Sequence, residues 1–130
     1  MTAVLAALPV GAETPSLSLE LNDTESVDGA CRLTFLVENR LGADLGALGA
    51  EAVIFTTEGR VERLLSLDLQ GVPAGRARVR QFDLPGLDCA KLGRVLINAV
   101  TPCDGEGLAP DACSKALVPT SRLGGVEVTG

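Results

Sequence analysis

Leu17, Leu19 and Leu21 alternate with Ser16, Ser18, Glu20 and Asn22, a period of two that predicts a strand with one buried face. The acidic segment 23–29, ending in Gly29, reads as the turn that follows. The alternation resumes at 30–39: Cys31, Leu33, Phe35 and Val37 face inward, Arg32, Thr34 and Glu38 outward, and Leu36 interrupts the polar row. Segment 39–49 is rich in Gly, Ala and Leu and reads as a loop, with Leu41, Leu45 and Leu48 available to plug the end of a core. Residues 51–57 form the next strand. Glu58-Gly59 signals a hairpin, and residues 60–69 form the partner, in which Val61, Leu65, Leu67 and Leu69 share a face after a local irregularity.

A turn cluster at 70–75 precedes a strand at 76–84. A loop with one helical turn leads to the most apolar strand, 93–100. Residues 101–113 form a loop, and the tail adds an edge strand in which Pro119 is tolerated. Six or seven strands separated by Gly/Pro turns, with no sustained 3.6-residue period, predict an all-β fold. The expected form is an antiparallel immunoglobulin-like β-sandwich, with a small closed β-barrel as the alternative. Segments 52–55, 63–69 and 94–100 carry large aliphatic residues on both faces, whereas a sandwich strand buries only one. Either loops and segment 39–49 cover the second face, or a homodimer or protein partner does.

At 130 residues and 46% hydrophobic, the chain suits one packed domain. With three Phe, no Trp and no Tyr, its core must be aliphatic. The net charge of −6 argues against binding to nucleic acid or to an anionic membrane. The absence of His removes the commonest general base and the commonest metal ligand together. Residues 1–12 are uncharged and mostly apolar, too short for the ~20 residues of a bilayer span. They read as the remnant of a signal peptide, with small residues at Val10-Gly11-Ala12. The domain is then 13–130 with a short C-terminal tail, in the periplasm or secreted.

Cys31, Cys89, Cys103 and Cys113 form an even set without a C-x-x-C pair, so neither a zinc knuckle nor a redox pair is indicated. Two disulfides are expected, in an oxidising compartment. Of three connectivities, Cys31–Cys89 with Cys103–Cys113 is favoured, because the second pair closes a short Gly/Pro/Asp-rich loop locally.

The stretches CRLTFLVEN, FTTEGRV, RVRQFDLPGLDC and GRVLINAV, in that order, resemble a family of short, exported, uncharacterised proteobacterial proteins. Some of these are named only for a twin-arginine signal sequence. The resemblance covers about residues 17–103 and implies periplasmic location and a β-sandwich. It implies no activity, cofactor or functional residue. The chain shows no twin-arginine region, which leaves the export route open.

Arg76, Arg78 and Arg80 alternate on one expected strand, and Arg60 and Arg63 lie on the preceding one. If these strands pair, five guanidiniums share a face that could dock an anionic partner. Ordinary cross-strand pairing with Glu62, Asp68 and Asp83 is the commoner use of such residues. Asp23, Glu25 and Asp28, and likewise Asp104, Glu106 and Asp111, supply oxygens on two loops, but neither has EF-hand spacing, so no metal is expected. The sequon at Asn22 is left unused in a bacterial chain. No G-x-S-x-G or S-x-x-K is present, and a disulfide would consume the Cys89 thiol beside Lys91. The expectation is therefore a protein without enzymatic activity or cofactor: a periplasmic binding or accessory module acting through a sheet face or edge. The alternative is a structural or envelope-stress protein, or a small protease inhibitor using loop 104–112.

Overall fold

The period-2 segments become strands with the faces their side chains demand. In the computed structural model, which describes residues 14–130, Leu17, Leu19 and Leu21 are all buried on β1 (Ser16–Val27). Cys31, Leu33, Phe35 and Val37 are buried on β2 (Ala30–Arg40). Between them the chain reverses over Asp28 and Gly29 alone, both at positive φ (44° and 76°), the twist that suits a two-residue hairpin. The acidic turn expected over 23–29 is therefore much shorter. Asp23 and Glu25 lie on β1, paired with Thr34 and Arg32, because a long antiparallel partner holds residues that β-propensity alone disfavours.

The remaining strands are β3 (Leu45–Thr56), β4 (Val61–Asp68), β5 (Ala77–Pro85), β6 (Leu92–Ala99), β7 (Cys103–Gly105), β8 (Leu117–Ser121) and β9 (Glu127–Thr129). A single-turn 3₁₀ segment at Cys89–Lys91 precedes β6, and a short helix, α1 (Ala112–Ala116), precedes β8. The expected loop over 39–49 is corrected: only 41–44 is irregular, and β3 begins at Leu45. Gly49 serves close packing. A Cβ on Gly49 would lie 2.6 Å from the Thr101 carbonyl oxygen, where β3 runs beside the chain entering β7.

Two sheets face each other, in orders β5-β2-β1-β8 and β4-β3-β6-β9, with β7 pairing the first part of β3. No closed barrel forms among the described residues. The expected wholly antiparallel pairing needs correction at two places: β8 runs parallel to β1, and β9 parallel to β6. Parallel neighbours need a long connection, and the chain between β6 and β9 supplies one by way of β7, α1 and β8.

Leucine, valine and isoleucine fill the interlayer, with Phe35 at its centre edge-to-face against Phe82, ring centroids 6.1 Å apart. Both disulfides take the favoured connectivity. Cys31 on β2 joins Cys89 on the approach to β6, tying one sheet to the other, and Cys103 on β7 joins Cys113 on α1. Among the described residues the one fully buried polar side chain is Asn39. Its Nδ2 donates to the carbonyls of Ala43 and Val72 (2.9 Å each), and its Oδ1 accepts from the Leu41 N–H at 3.0 Å. The amide thus anchors both the 41–44 turn and the connector after β4. The expected signal remnant, 1–12, lies outside the described residues.

Candidate contact surface on the five-stranded sheet

The three strands with aliphatic residues on both faces are neighbours: β4, β3 and β6 lie side by side. Register sets Leu64 opposite Val53 and Val53 opposite Leu96, and beside that row Val61 faces Phe55 and Phe55 faces Arg94. Alternation buries Ala52, Ile54, Leu65, Val95 and Ile97 toward the interlayer to differing degrees, which turns Val53, Phe55, Leu64 and Leu96 outward. Leu64 is 73% exposed and Val61 55% exposed, while Val53, between its neighbours, is 9% exposed. Segment 39–49 cannot cover them, because it continues into β3 itself.

A shallow depression of about 400 Å³ next to this row is lined by Glu51, Ala52, Val53, Leu64, Leu65, Ser66 and Asn98. At the other end of the face the Arg94 guanidinium sits over the Phe55 ring, 4.3 Å from its centroid. The outer face of the opposite sheet carries charged and polar pairs. There Arg32 forms a two-pronged pair with Asp83 (2.7 and 3.1 Å), and Gln81 donates to Thr34. Hydrogen bonding from Arg32 holds the Asp83 carboxyl below the usual carboxylate range and raises Arg32. Val79 and Val118 are also exposed on this second face, while Leu64 is the most exposed large apolar side chain among the described residues.

The arginine cluster does not assemble. Arg60 and Arg63 belong with β4, whereas Arg76, Arg78 and Arg80 belong with β5, and these strands are edges of different sheets. The condition for a shared face, pairing of the two strands, is unmet, because the connector between them crosses from one layer to the other. Arg63 instead pairs with Glu62 (2.6 Å) and donates to the Pro85 carbonyl, and this contact lowers the Glu62 carboxyl. Arg80 reaches back to the carbonyls of Leu69 (2.7 Å) and Gly71 (3.1 Å). Arg78 donates to the Ala77 carbonyl, and Arg60 is exposed. Phe82 is in phase with Arg78 and Arg80, and all three are half-buried on a β5 that pairs regularly with β2.

A hollow of about 690 Å³ lies beside loop 104–112 and carries Asp44, Asp104 and Glu106 with Leu108 and Pro110. Asp104 and Gly105 are tied into β7, so this loop is less free than its sequence implies. Among the described residues no group of three acidic or cysteine side chains is placed to hold a metal ion. All four cysteines are in disulfides. The residues missed from sequence are Asn39 and Leu64. Leu64 was visible only as half of a Leu-Leu step that breaks the alternation of 61–69, and Asn39 carried no signal at all.

No protein-family model matches the chain, and no curated protein matches it. The chain is similar in fold to a solved structure described as the structural characterization of IrmA from Escherichia coli. That likeness has a TM-score of 0.60 at 12% identity and covers 82% of this chain and 92% of the other.

Proposed function

We propose that the chain is a non-catalytic binding or accessory module of the bacterial periplasm, which takes a protein partner on the outer face of β4, β3 and β6. The observation that carries this is the row of Leu64, Val53 and Leu96, flanked by Val61 and Phe55, in which Leu64 is the most exposed large apolar side chain among the described residues. Contiguous apolar surface of this kind marks contact sites in soluble proteins. Two disulfides are compatible with an oxidising compartment. The lack of His, and the commitment of every thiol to a disulfide, support a role without catalysis.

The test is capture of periplasmic proteins on the immobilised domain, comparing wild type with Leu96→Glu. Loss of the captured protein in a variant that keeps its fold supports the face as the docking surface. Equal capture by both would place the contact elsewhere.

A further inference from the structure

Five arginines are half-buried: Arg32, Arg63, Arg78, Arg80 and Arg94. The first four spend their donors inside the protein. Arg32 donates to Asp83, Arg63 to Glu62, Arg78 to the Ala77 carbonyl and Arg80 to the carbonyls of Leu69 and Gly71. Arg94 makes no hydrogen bond or ion pair among the described residues. Its guanidinium lies over the Phe55 ring, 4.3 Å from the centroid, so the charge is held in place while its N–H donors stay unspent. A partly desolvated fork of donors without partners calls for an acceptor from outside the chain.

Arg94 stands in a cross-strand row between Phe55 on β3 and Glu127 on β9, on the outer face of the sheet. Because it leans onto Phe55, Glu127 on its other side stays apart from it and has no hydrogen bond or ion pair among the described residues. Both charges line a hollow of about 540 Å³ between the β3–β4 hairpin and the connector that precedes β9. That volume suits a small molecule. Leu123 and Val126 add an aliphatic wall, drawn together by a turn in which the Val126 N–H donates to the Leu123 carbonyl. A Cβ on Gly93 would lie 2.5 Å from the Thr56 carbonyl oxygen, so β6 enters tight against the hairpin and fixes the backbone that carries Arg94.

We infer that this hollow binds a free α-amino acid with an aliphatic side chain. Its carboxylate meets the Arg94 fork, its ammonium meets Glu127, and its side chain lies against Leu123 and Val126. A guanidinium takes a carboxylate two-pronged. Neighbours on adjacent strands stand about 4.8 Å apart, a span that one small zwitterion bridges. A carboxylate without an ammonium would set its negative charge beside Glu127, and a phosphate would do so more strongly. The site lies beyond the Leu64–Val53–Leu96 row and does not rest on the protein partner proposed above.

Titration of the ¹⁵N-labelled full chain with L-leucine, followed by NMR, tests the assignment. Shifts are expected at the Arg94 side chain and at the Gly125 and Val126 amides, with a Kd at or below about 1 mM. The probes 4-methylpentanoate, which lacks the ammonium, and 3-methylbutylamine, which lacks the carboxylate, should each bind at least ~10-fold more weakly. Glu127→Gln should weaken leucine by the same factor and leave 4-methylpentanoate unaffected; Arg94→Gln should weaken leucine and leave the amine unaffected. Glu127 is exposed and its replacement nearly isosteric, so that variant keeps the fold, which far-UV circular dichroism checks. No shifts at millimolar leucine overturn the proposal. So does 4-methylpentanoate or inorganic phosphate that binds as well as leucine, or leucine binding indifferent to both variants.

Discussion

Replacing Asn39 by Ala is expected to cost about 2–4 kcal/mol, a large share of the ~5–15 kcal/mol by which a domain of this size is stable. The figure follows from the partners left behind. Three side-chain hydrogen bonds disappear, each worth about 1 kcal/mol net, and the penalty for orphaning each partner decides the rest. The Val72 carbonyl keeps a second donor, the Leu45 N–H at 3.0 Å. The Ala43 carbonyl and the Leu41 N–H keep none of the bonds described, but both sit where burial is partial, so water relieves part of their loss. Asn39→Asp sharpens the test. It preserves shape, removes both donors and sets a carboxylate against two carbonyls. Its folded-state pKa is then raised, so whatever stability this variant retains is fullest below the unfolded carboxyl value near ~3.9 and is lost as pH rises through the raised one. Asn39→Asp should therefore be weaker than Asn39→Ala at neutral pH and close the gap in acid. With no Trp or Tyr to report, urea unfolding must be followed by far-UV circular dichroism. At an m of about 1–3 kcal/mol/M, a 3 kcal/mol loss lowers the midpoint by about 1–3 M. An Asn39→Ala midpoint within about 0.3 M of wild type would refute the claim that this amide organises the 41–44 turn.

Further outcomes follow from the bridges and the packing. On loop-closure entropy, Cys31→Ala/Cys89→Ala should lose about 4 kcal/mol and Cys103→Ala/Cys113→Ala about 3, the partners being 58 and 10 positions apart in sequence; calorimetry giving the reverse order would contradict the loop-length argument. The Asp83 carboxyl should titrate below ~3.9 by carbon NMR and return to the ordinary value in Arg32→Ala. Because that pKa is lowered, the contribution of the Arg32–Asp83 pair is present above the unfolded value and lost as pH falls through the folded one, so Arg32→Ala should flatten the acid limb of stability. Gly49→Ala, whose methyl would press on the Thr101 carbonyl, should destabilise by about 1–3 kcal/mol, and a neutral melting temperature would show that the β3–β7 approach is looser than drawn.

Much of this architecture is legible in the chain because period-2 alternation is local. Leu17–Leu19–Leu21 and Cys31–Phe35–Val37 declare their buried faces without reference to any partner, and the phase of Cys31 placed it inward where its bridge lies. What alternation does not encode is which sheet a strand joins. Residues 60–69 and 76–84 look like hairpin partners, yet the connector with Gln70 at positive φ and the Leu45–Val72 bridge carries the chain across to the other layer, which scatters the arginines. The first half of β3 was hidden for another reason. Gly46, Ala47, Gly49 and Ala50 lack the bulk that signals a strand, and at Gly49 the Thr101 carbonyl leaves no room for a Cβ. The open face was half legible: both-sided apolarity in three segments was plain, but only their adjacency turns it into one surface.

The bridge between Cys31 and Cys89 has a mechanical meaning. If the chain is pulled from opposite ends, tension travels along β1, jumps through the two sulfurs and rejoins the backbone just before β6. The whole of β3, β4 and β5 hangs from that shortcut as slack and bears no load. A stretched molecule would shear its parallel β1–β8 and β6–β9 ladders first, while the hairpin that presents Leu64 stays out of the line of force.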